Sequence, residues 1–204
     1  MTTRRLVVVD GLDGCGKDTH ANRMRQLMEA DGQREVMVSH PSDRLFGVLS
    51  KRALEGSGHV SRALATIFYT LDVLGSVARF NRSRDGTHIF VRYLLGTAYL
   101  PRRLAPVGYR LFRKLLPFPD IAIFIDIEPS VALRRIEQRD HKREMFETME
   151  KLQSVREIAK ALTMDEWVVV DNSEDGEGPF VKAQFLLAQK GLLDARPVVS
   201  PSTP

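Results

Sequence analysis

The residues best equipped for chemistry lie in the stretch GLDGCGKDTH (11–20). Gly11, Leu12, Asp13, Gly14, Cys15, Gly16, Lys17, Asp18 and Thr19 come after the apolar run RLVVVD (5–10) and precede a helical pattern. In a strand-loop-helix with G-x-x-x-x-G-K spacing, backbone N–H groups turn toward phosphate oxygens, and the positive end of the helix dipole adds to them. Lys17 supplies a side-chain cation for the outer phosphates. The bland alternative, a glycine-rich turn that binds nothing, leaves the agreement of spacing, lysine and flanking elements to chance.

Asp18 breaks the pattern, because such loops normally carry serine or threonine there to hold magnesium. A carboxylate adds negative charge beside the phosphates unless a metal or Lys17 offsets it. Two readings stand. Asp18 is a metal ligand, with Thr19 supplying the hydroxyl, or it is a first-turn carboxylate favoured by the helix dipole.

These residues need a scaffold, and the hydrophobic pattern supplies one. RLVVVD (5–10), HIFVR (88–92), IAIFIDI (121–127) and WVVVD (167–171) read as buried parallel strands, with EVMVSH (35–40) a weaker fifth. Helical patterns run over 17–30, 61–80, 130–139, 144–162 and 179–189. This alternation predicts an α/β fold, a five-stranded parallel sheet with helices on both faces and ligands beyond the carboxyl ends of the strands. Asp10, Arg92 and Asp126 all fall at or near such ends.

The chain has 204 residues, 43% of them hydrophobic, which suits one α/β domain over 1–194. The tail ARPVVSPSTP, within 195–204, has the composition of a disordered segment. A net charge of +4 suits a ligand with several phosphates as well as it suits nucleic acid. The single cysteine excludes an internal disulfide. With no apolar leader or span in the pattern, the expectation is a cytoplasmic protein that binds neither membrane nor nucleic acid.

On these residues the chain resembles the thymidylate kinase family of nucleoside monophosphate kinases, over most of 4–190. The family loop (D/E)-G-x-D-G-x-G-K-x-T is matched from Asp10 to Thr19, and its D-R-Y-x-x-S segment by VRYLLGTAY (91–99). PDIAIFIDIEPSVALRRIEQR (119–139) is similar to the strand, D-x-x-P and helix that lead to the lid, and MFETMEKLQSVREIAKAL (145–162) to the helix that leaves it. The resemblance implies a P-loop nucleoside monophosphate kinase fold with a short lid at about 139–146. It implies ATP with Mg2+, transfer of the γ-phosphoryl to a nucleoside monophosphate, dTMP giving dTDP, and a homodimer.

The same resemblance distributes roles. Residues 11–19 hold ATP, with Asp18 and Thr19 toward the metal. Lys17, Arg92 and the lid's Arg139 and Arg143 neutralise the transferring phosphoryl, Lys142 lying between the lid arginines. Gly14 stands where some family members carry an arginine, and its absence accompanies arginines in the lid. Asp13, Pro41, Tyr69, Arg92, Thr97 and Tyr99 form the acceptor site. There Asp13 faces the 3′-hydroxyl, Tyr69 stacks on the base, Arg92 meets the acceptor phosphate, and Tyr99 walls off the 2′ position.

Three departures from the family pattern stand out. Val91 replaces the acidic residue before the arginine, a loss for which Asp18 can compensate. Val73 replaces the arginine that reads the base's O4. Gly96 and Thr97 stand where a serine and a base-reading polar residue are expected. Loss of a hydrogen-bonding contact relaxes base choice rather than abolishing transfer. Two alternatives therefore accompany dTMP phosphorylation: a kinase for another nucleotide or small acceptor, and a catalytically inactive nucleotide-binding regulator. The basic, leucine-rich segment YLPRRLAPVGYRLFRKLLPFPD (99–120) reads as a kinked, partly buried helical connection, because Pro106 and Gly108 interrupt it.

Overall fold

The computed structural model describes residues 4–56, 58–138, 148–164, 166–174 and 176–193. The expected lid at 139–146, with Arg139, Lys142 and Arg143, and the tail at 195–204 lie outside the described residues.

Five strands, β1 (Arg5–Gly11), β2 (Glu35–Ser39), β3 (Thr87–Val91), β4 (Ile121–Asp126) and β5 (Val168–Asp171), form one parallel sheet in the order β2-β3-β1-β4-β5. Parallel neighbours need crossovers. These are α1 (Lys17–Ala30) after β1, α2 (Leu45–Leu54) and α3 (Gly58–Arg82) after β2, a 3-10 turn (Leu94–Tyr99) and α4 (Ala105–Leu115) after β3, and α5 (Pro129–Glu137) and α6 (Met149–Thr163) after β4. Helix α7 (Gly178–Gln189) comes after β5.

Helices cover both faces of the central strands, so Val7, Val8, Val9, Ile89, Phe90, Ile123, Phe124 and Ile125 are buried with no polar alternation. The sheet is the expected one. After β1 the chain runs to β2 and β3 on one side, then to β4 and β5 on the other, so the order reverses at β1. A crevice opens beyond the carboxyl end of a strand at such a point, and the loop 11–16 stands there.

Three local features differ from expectation, each for a physical reason. Strand β3 ends at Val91, and Arg92 turns out of it with φ 59, the left-handed region. Helix α2 was not apparent in the hydrophobic pattern, since it is short and buries only Gly47 and Ser50. Helix α4 is continuous: Pro106 sits in its first turn, where a missing N–H costs nothing, and Gly108 packs closely on Leu100.

Helix α3 has the length and apolarity of a membrane span. Here it packs on α2 and buries Asp72, Val73, Ser76, Val77 and Phe80. Five of its other apolar residues, Val60, Leu64, Ile67, Leu71 and Leu74, form an exposed stripe.

Candidate active site

Asp10, the last polar residue before the loop, ties the phosphate loop to the turn after β3. It is buried, and its carboxylate accepts the backbone N–H of Gly11 at 3.0 Å, of Tyr93 at 2.8 Å and of Leu95 at 3.1 Å. Burial pushes its carboxyl pKa up against the pull of these amides and Lys17. The strand-end position marked Asp10 in the sequence, but the bonds to residues 93 and 95 join segments far apart in the chain.

The loop itself is held by close packing. Gly14 adopts φ 80, and a Cβ there would lie 2.6 Å from the carbonyl oxygen of Ala132 in α5. Any side chain here, an arginine included, would push the loop away from α5, a steric reason for the glycine. Asn172, after β5, donates to the carbonyl of Cys15 at 2.8 Å. Burial raises the pKa of the Cys15 thiol, which keeps it neutral.

Asp13 is the point of convergence. Its carboxylate accepts from the Arg92 guanidinium and, at 2.9 Å, from the Tyr99 hydroxyl, while Lys17 Nζ stands 3.6 Å away. Lys17 is itself buried and donates to the carbonyl of Leu12 at 2.8 Å. The structure thus brings together Asp13, Lys17, Arg92 and Tyr99, four of the residues expected from the sequence, where loop meets cleft. Tyr99 is pushed well above its ordinary pKa, by burial first and then by the Asp13 carboxylate, and so stays a hydrogen-bond donor.

Beside this cluster lies a cleft lined by Asp13, Pro41, Tyr69, Arg92 and Tyr99, together with Ser50, Leu54, Arg62, Ala65, Thr66, Gly96 and Leu100. It encloses about 680 Å³ counted to its open mouth, within the range of small-molecule sites. Tyr69 is fixed in the wall: its hydroxyl donates to the Tyr93 carbonyl at 3.1 Å, and its ring passes so close to Gly96 that a Cβ there would meet the ring at 2.8 Å. Ser50 and Leu54 come from α2, which the hydrophobic pattern does not reveal, and Arg62 and Thr66 from exposed positions of α3 that no motif marks.

Thr97 does not reach this cleft. Its hydroxyl donates to the Leu94 carbonyl at 2.7 Å, and its side chain lines a narrow crevice behind Tyr69 with Val73, Phe112 and Leu116. Val73 is also buried, so neither position 73 nor 97 presents a polar group to the main cleft.

Asp18 and Thr19 lie exposed in the first turn of α1, and the Ser39 hydroxyl donates to Asp18 at 2.7 Å. Ser39 ends β2, where the sheet register sets it beside Val91. Asp18 is therefore anchored next to the position at which the acidic residue is missing.

On the far side, Asp126 at the end of β4 holds α6, the helix that comes after the lid positions. Arg156 in α6 forms two hydrogen bonds to it, at 2.8 and 2.9 Å, and Lys160 stands 2.9 Å away. Burial raises the Asp126 carboxyl pKa, but these two cations outweigh it and leave it below its ordinary value.

Comparison with known proteins agrees with this geometry. A sequence model described as thymidylate kinase matches residues 9–178. A probable thymidylate kinase of Archaeoglobus fulgidus is 29% identical over 174 residues, covering 83% of this chain and 87% of that protein. A thymidylate kinase of Xanthomonas euvesicatoria is 27% identical over 189 residues, covering 89% and 82%. The structure of thymidylate kinase from Candida albicans superposes with a TM-score of 0.71 at 16% identity, covering 93% of this chain and 92% of that one, a likeness of fold. A P-loop at the sheet's reversal point, the gathering of Lys17, Arg92 and Tyr99 around Asp13 and a match over most of the chain lead to one conclusion: this ATP-dependent phosphotransferase belongs to the thymidylate kinase family.

Proposed function

We propose that the protein transfers the γ-phosphoryl of ATP to dTMP, with the acceptor in the cleft of Tyr69 and Tyr99 and the donor on the loop 11–19. The observation that carries this reading is the convergence of Lys17, Arg92 and Tyr99 on Asp13, between the two sites. Phosphoryl transfer needs two anionic groups held in line and the charge between them neutralised. Lys17 serves the donor side and Arg92 the acceptor phosphate. Arg139 and Arg143 of the lid complete the cation set. Asp13 keeps Arg92 and Lys17 oriented before substrates arrive, then takes the acceptor's 3′-hydroxyl.

Magnesium supplies Lewis-acid neutralisation of the donor phosphates when bound. The residues present fit it: Asp18 is a hard oxygen donor at the head of α1, its carboxylate oriented by Ser39, with the Thr19 hydroxyl adjacent. A Mg2+ ion characteristically takes one or two carboxylates, waters and substrate phosphate oxygens.

Tyr69 stacks on the base and Tyr99 closes the 2′ side. Positions 73 and 97 offer the base no polar side chain, so base choice rests on shape, on stacking and on the polar lining that remains, Ser50, Arg62 and Thr66. The stripe Val60, Leu64, Ile67, Leu71, Leu74 repeats at four- and three-residue intervals, the spacing of a helix-helix seam, and is the face through which the protein forms a homodimer. The setting is cytoplasmic.

The test is an acceptor screen with ATP and Mg2+ over the nucleoside monophosphates and nucleosides, run beside Lys17→Ala. The expected result is dTDP formation that Lys17→Ala abolishes without loss of fold. No product from any acceptor would overturn the proposal.

A further inference from the structure

Behind the acceptor cleft, a chain of buried polar side chains leads from α3 to the backbone of Arg92. His40 is fully buried. Its Nδ1 lies 3.0 Å from the carbonyl oxygen of Arg92 and 3.2 Å from that of Val91, and its Nε2 lies 2.7 Å from Ser76 Oγ. Carbonyl oxygens only accept, so Nδ1 carries the proton and the Ser76 hydroxyl donates to Nε2. Ser76 accepts in turn from Arg44, which also donates to Asp72 at 3.1 Å. Ser42 secures Asp72 with its amide at 2.7 Å and its hydroxyl at 2.6 Å. Each member has its partners, the condition under which a buried network specifies one conformation.

The far end of this chain is unusual. Arg92 is the non-glycine residue with positive φ among the described residues. Such a backbone persists in a side-chain-bearing residue only where the surroundings over-determine it. Asp10 fixes the amide of the next residue, Tyr93, and His40 fixes the carbonyl of Arg92 itself.

We propose that His40 is a positioning residue for phosphoryl transfer: its neutral imidazole, oriented by Ser76 and the Asp72–Arg44 pair, holds the Arg92 carbonyl. It thereby keeps the guanidinium aimed at Asp13 and the acceptor phosphate. This rests on the reading of Arg92 as the acceptor-phosphate contact. A histidine that merely fills the core would have no bond to the one strained backbone that carries a cation of the site.

Protonation would leave the Nδ1–H bond to the Arg92 carbonyl in place and change only the side of the ring that faces Ser76. Burial holds the His40 pKa below the ordinary imidazole range; Asp72 acts against that shift and Arg44 with it. The other faces are the ring edges of Tyr69 at 6.4 Å and Phe90 at 5.5 Å, which offer no charge. An imidazolium would stand near Arg44, and its Nε2–H would donate to the Ser76 hydroxyl instead of accepting from it.

The experiment compares His40→Leu, His40→Asn, Ser76→Ala and Arg92→Ala. It measures kcat and KM for the acceptor at saturating ATP, ATP affinity by calorimetry, and the tautomer of His40 by 15N NMR of the unmodified protein. The proposal expects the Nδ1–H tautomer. It expects about a tenfold or larger loss of acceptor kcat/KM in His40→Leu with ATP affinity unchanged, and substantial recovery in His40→Asn, whose side-chain amide can donate to the same carbonyl. A smaller loss of the same kind is expected in Ser76→Ala, which keeps the test open should His40→Leu fail to fold.

Combining His40→Leu with Arg92→Ala should add no further loss of acceptor kcat/KM. An Nε2–H tautomer overturns the proposal, as does an equal effect of His40→Leu on ATP and acceptor with no recovery in His40→Asn. If Arg92→Ala leaves acceptor kinetics intact, the underlying reading of Arg92 fails. If only Arg92→Ala impairs them, the role of His40 alone fails.

Discussion

Arg92 donates to the carboxylate of Asp13 from a backbone at φ 59, so the cation that follows β3 and the carboxylate of the phosphate loop form one bonded pair in the lining of the cleft. Under the proposed role of Arg92, an incoming acceptor phosphate meets a guanidinium already aimed and only partly exposed. Replacing Arg92 with alanine removes a charge-assisted contact worth about 1.5 to 3 kcal/mol, or about 10- to 150-fold in acceptor kcat/KM. Arg92→Lys should recover little, since a point charge does not reproduce the planar fork. Steady-state kinetics with acceptor and ATP varied separately check this, and a loss confined to the ATP side would contradict it.

Gly14 meets the backbone of Ala132 so closely that Gly14→Ala forces the phosphate loop away from α5. The added Cβ also sits on a residue at φ 80. Together these should destabilise the fold by about 1 to 3 kcal/mol, a fall of about 2 to 12 °C in Tm for a chain of this size. ATP affinity should drop with it. A calorimetric scan with and without ATP measures both; an unchanged Tm would show that the loop has room to shift.

The three central strands were legible because buried parallel strands write their burial as continuous apolar runs, as in RLVVVD and IAIFID; the edge strands β2 and β5 are only partly buried, so 167–171 is not the fully buried strand expected from its valines. The phosphate loop was legible for a different reason: its chemistry is local, with Gly11 to Thr19 consecutive in the chain. What escaped was non-local. Asp10 bonds to Tyr93 and Leu95, His40 to Arg92, and Ser39 to Asp18, pairings that only the sheet register β2-β3-β1 creates. Asp72 illustrates the point. Its bonds to Ser42 and Arg44 depend on where the segment before α2 meets α3, which no local pattern reveals. Thr97 misled in the opposite sense, because a motif position cannot reveal that a hydroxyl is spent on its own turn.

The Asp126–Arg156 pair should appear as acid sensitivity. Asp126 has a folded-state pKa below its ordinary value near 3.8, so the pair stabilises the fold above that value, and the contribution is lost as pH falls through the folded pKa. Arg156→Gln should therefore cost about 1.5 to 3 kcal/mol near neutral pH, with Lys160 left to hold the carboxylate in part. The gap between the two proteins should close below about pH 3.8. Urea unfolding from neutral to acid pH tests it, and a gap that stays constant would assign the loss of stability to packing instead.

Asp18 decides how this loop works without the usual hydroxyl after its lysine. Ser39 donates to its carboxylate and pairs in the sheet register with Val91, the arrangement that compensation by Asp18 for the acidic residue missing there would require. If Asp18 holds the metal, Asp18→Asn weakens magnesium binding and lowers turnover. Asp18→Ser keeps much of the activity because a hydroxyl is the common ligand at this position. Ser39→Ala should give a milder form of the Asn phenotype, since the carboxylate remains but loses its orientation. If Asp18 only complements the helix dipole, all three changes cost no more than about 0.3 to 1 kcal/mol of stability and leave the metal dependence untouched. Magnesium titration of initial rates, paired with Mn2+ binding to the ATP complex monitored by electron paramagnetic resonance, separates the cases. Identical curves for the four proteins would reduce Asp18 to a helix-capping charge and leave the carboxylate lost at Val91 without a replacement.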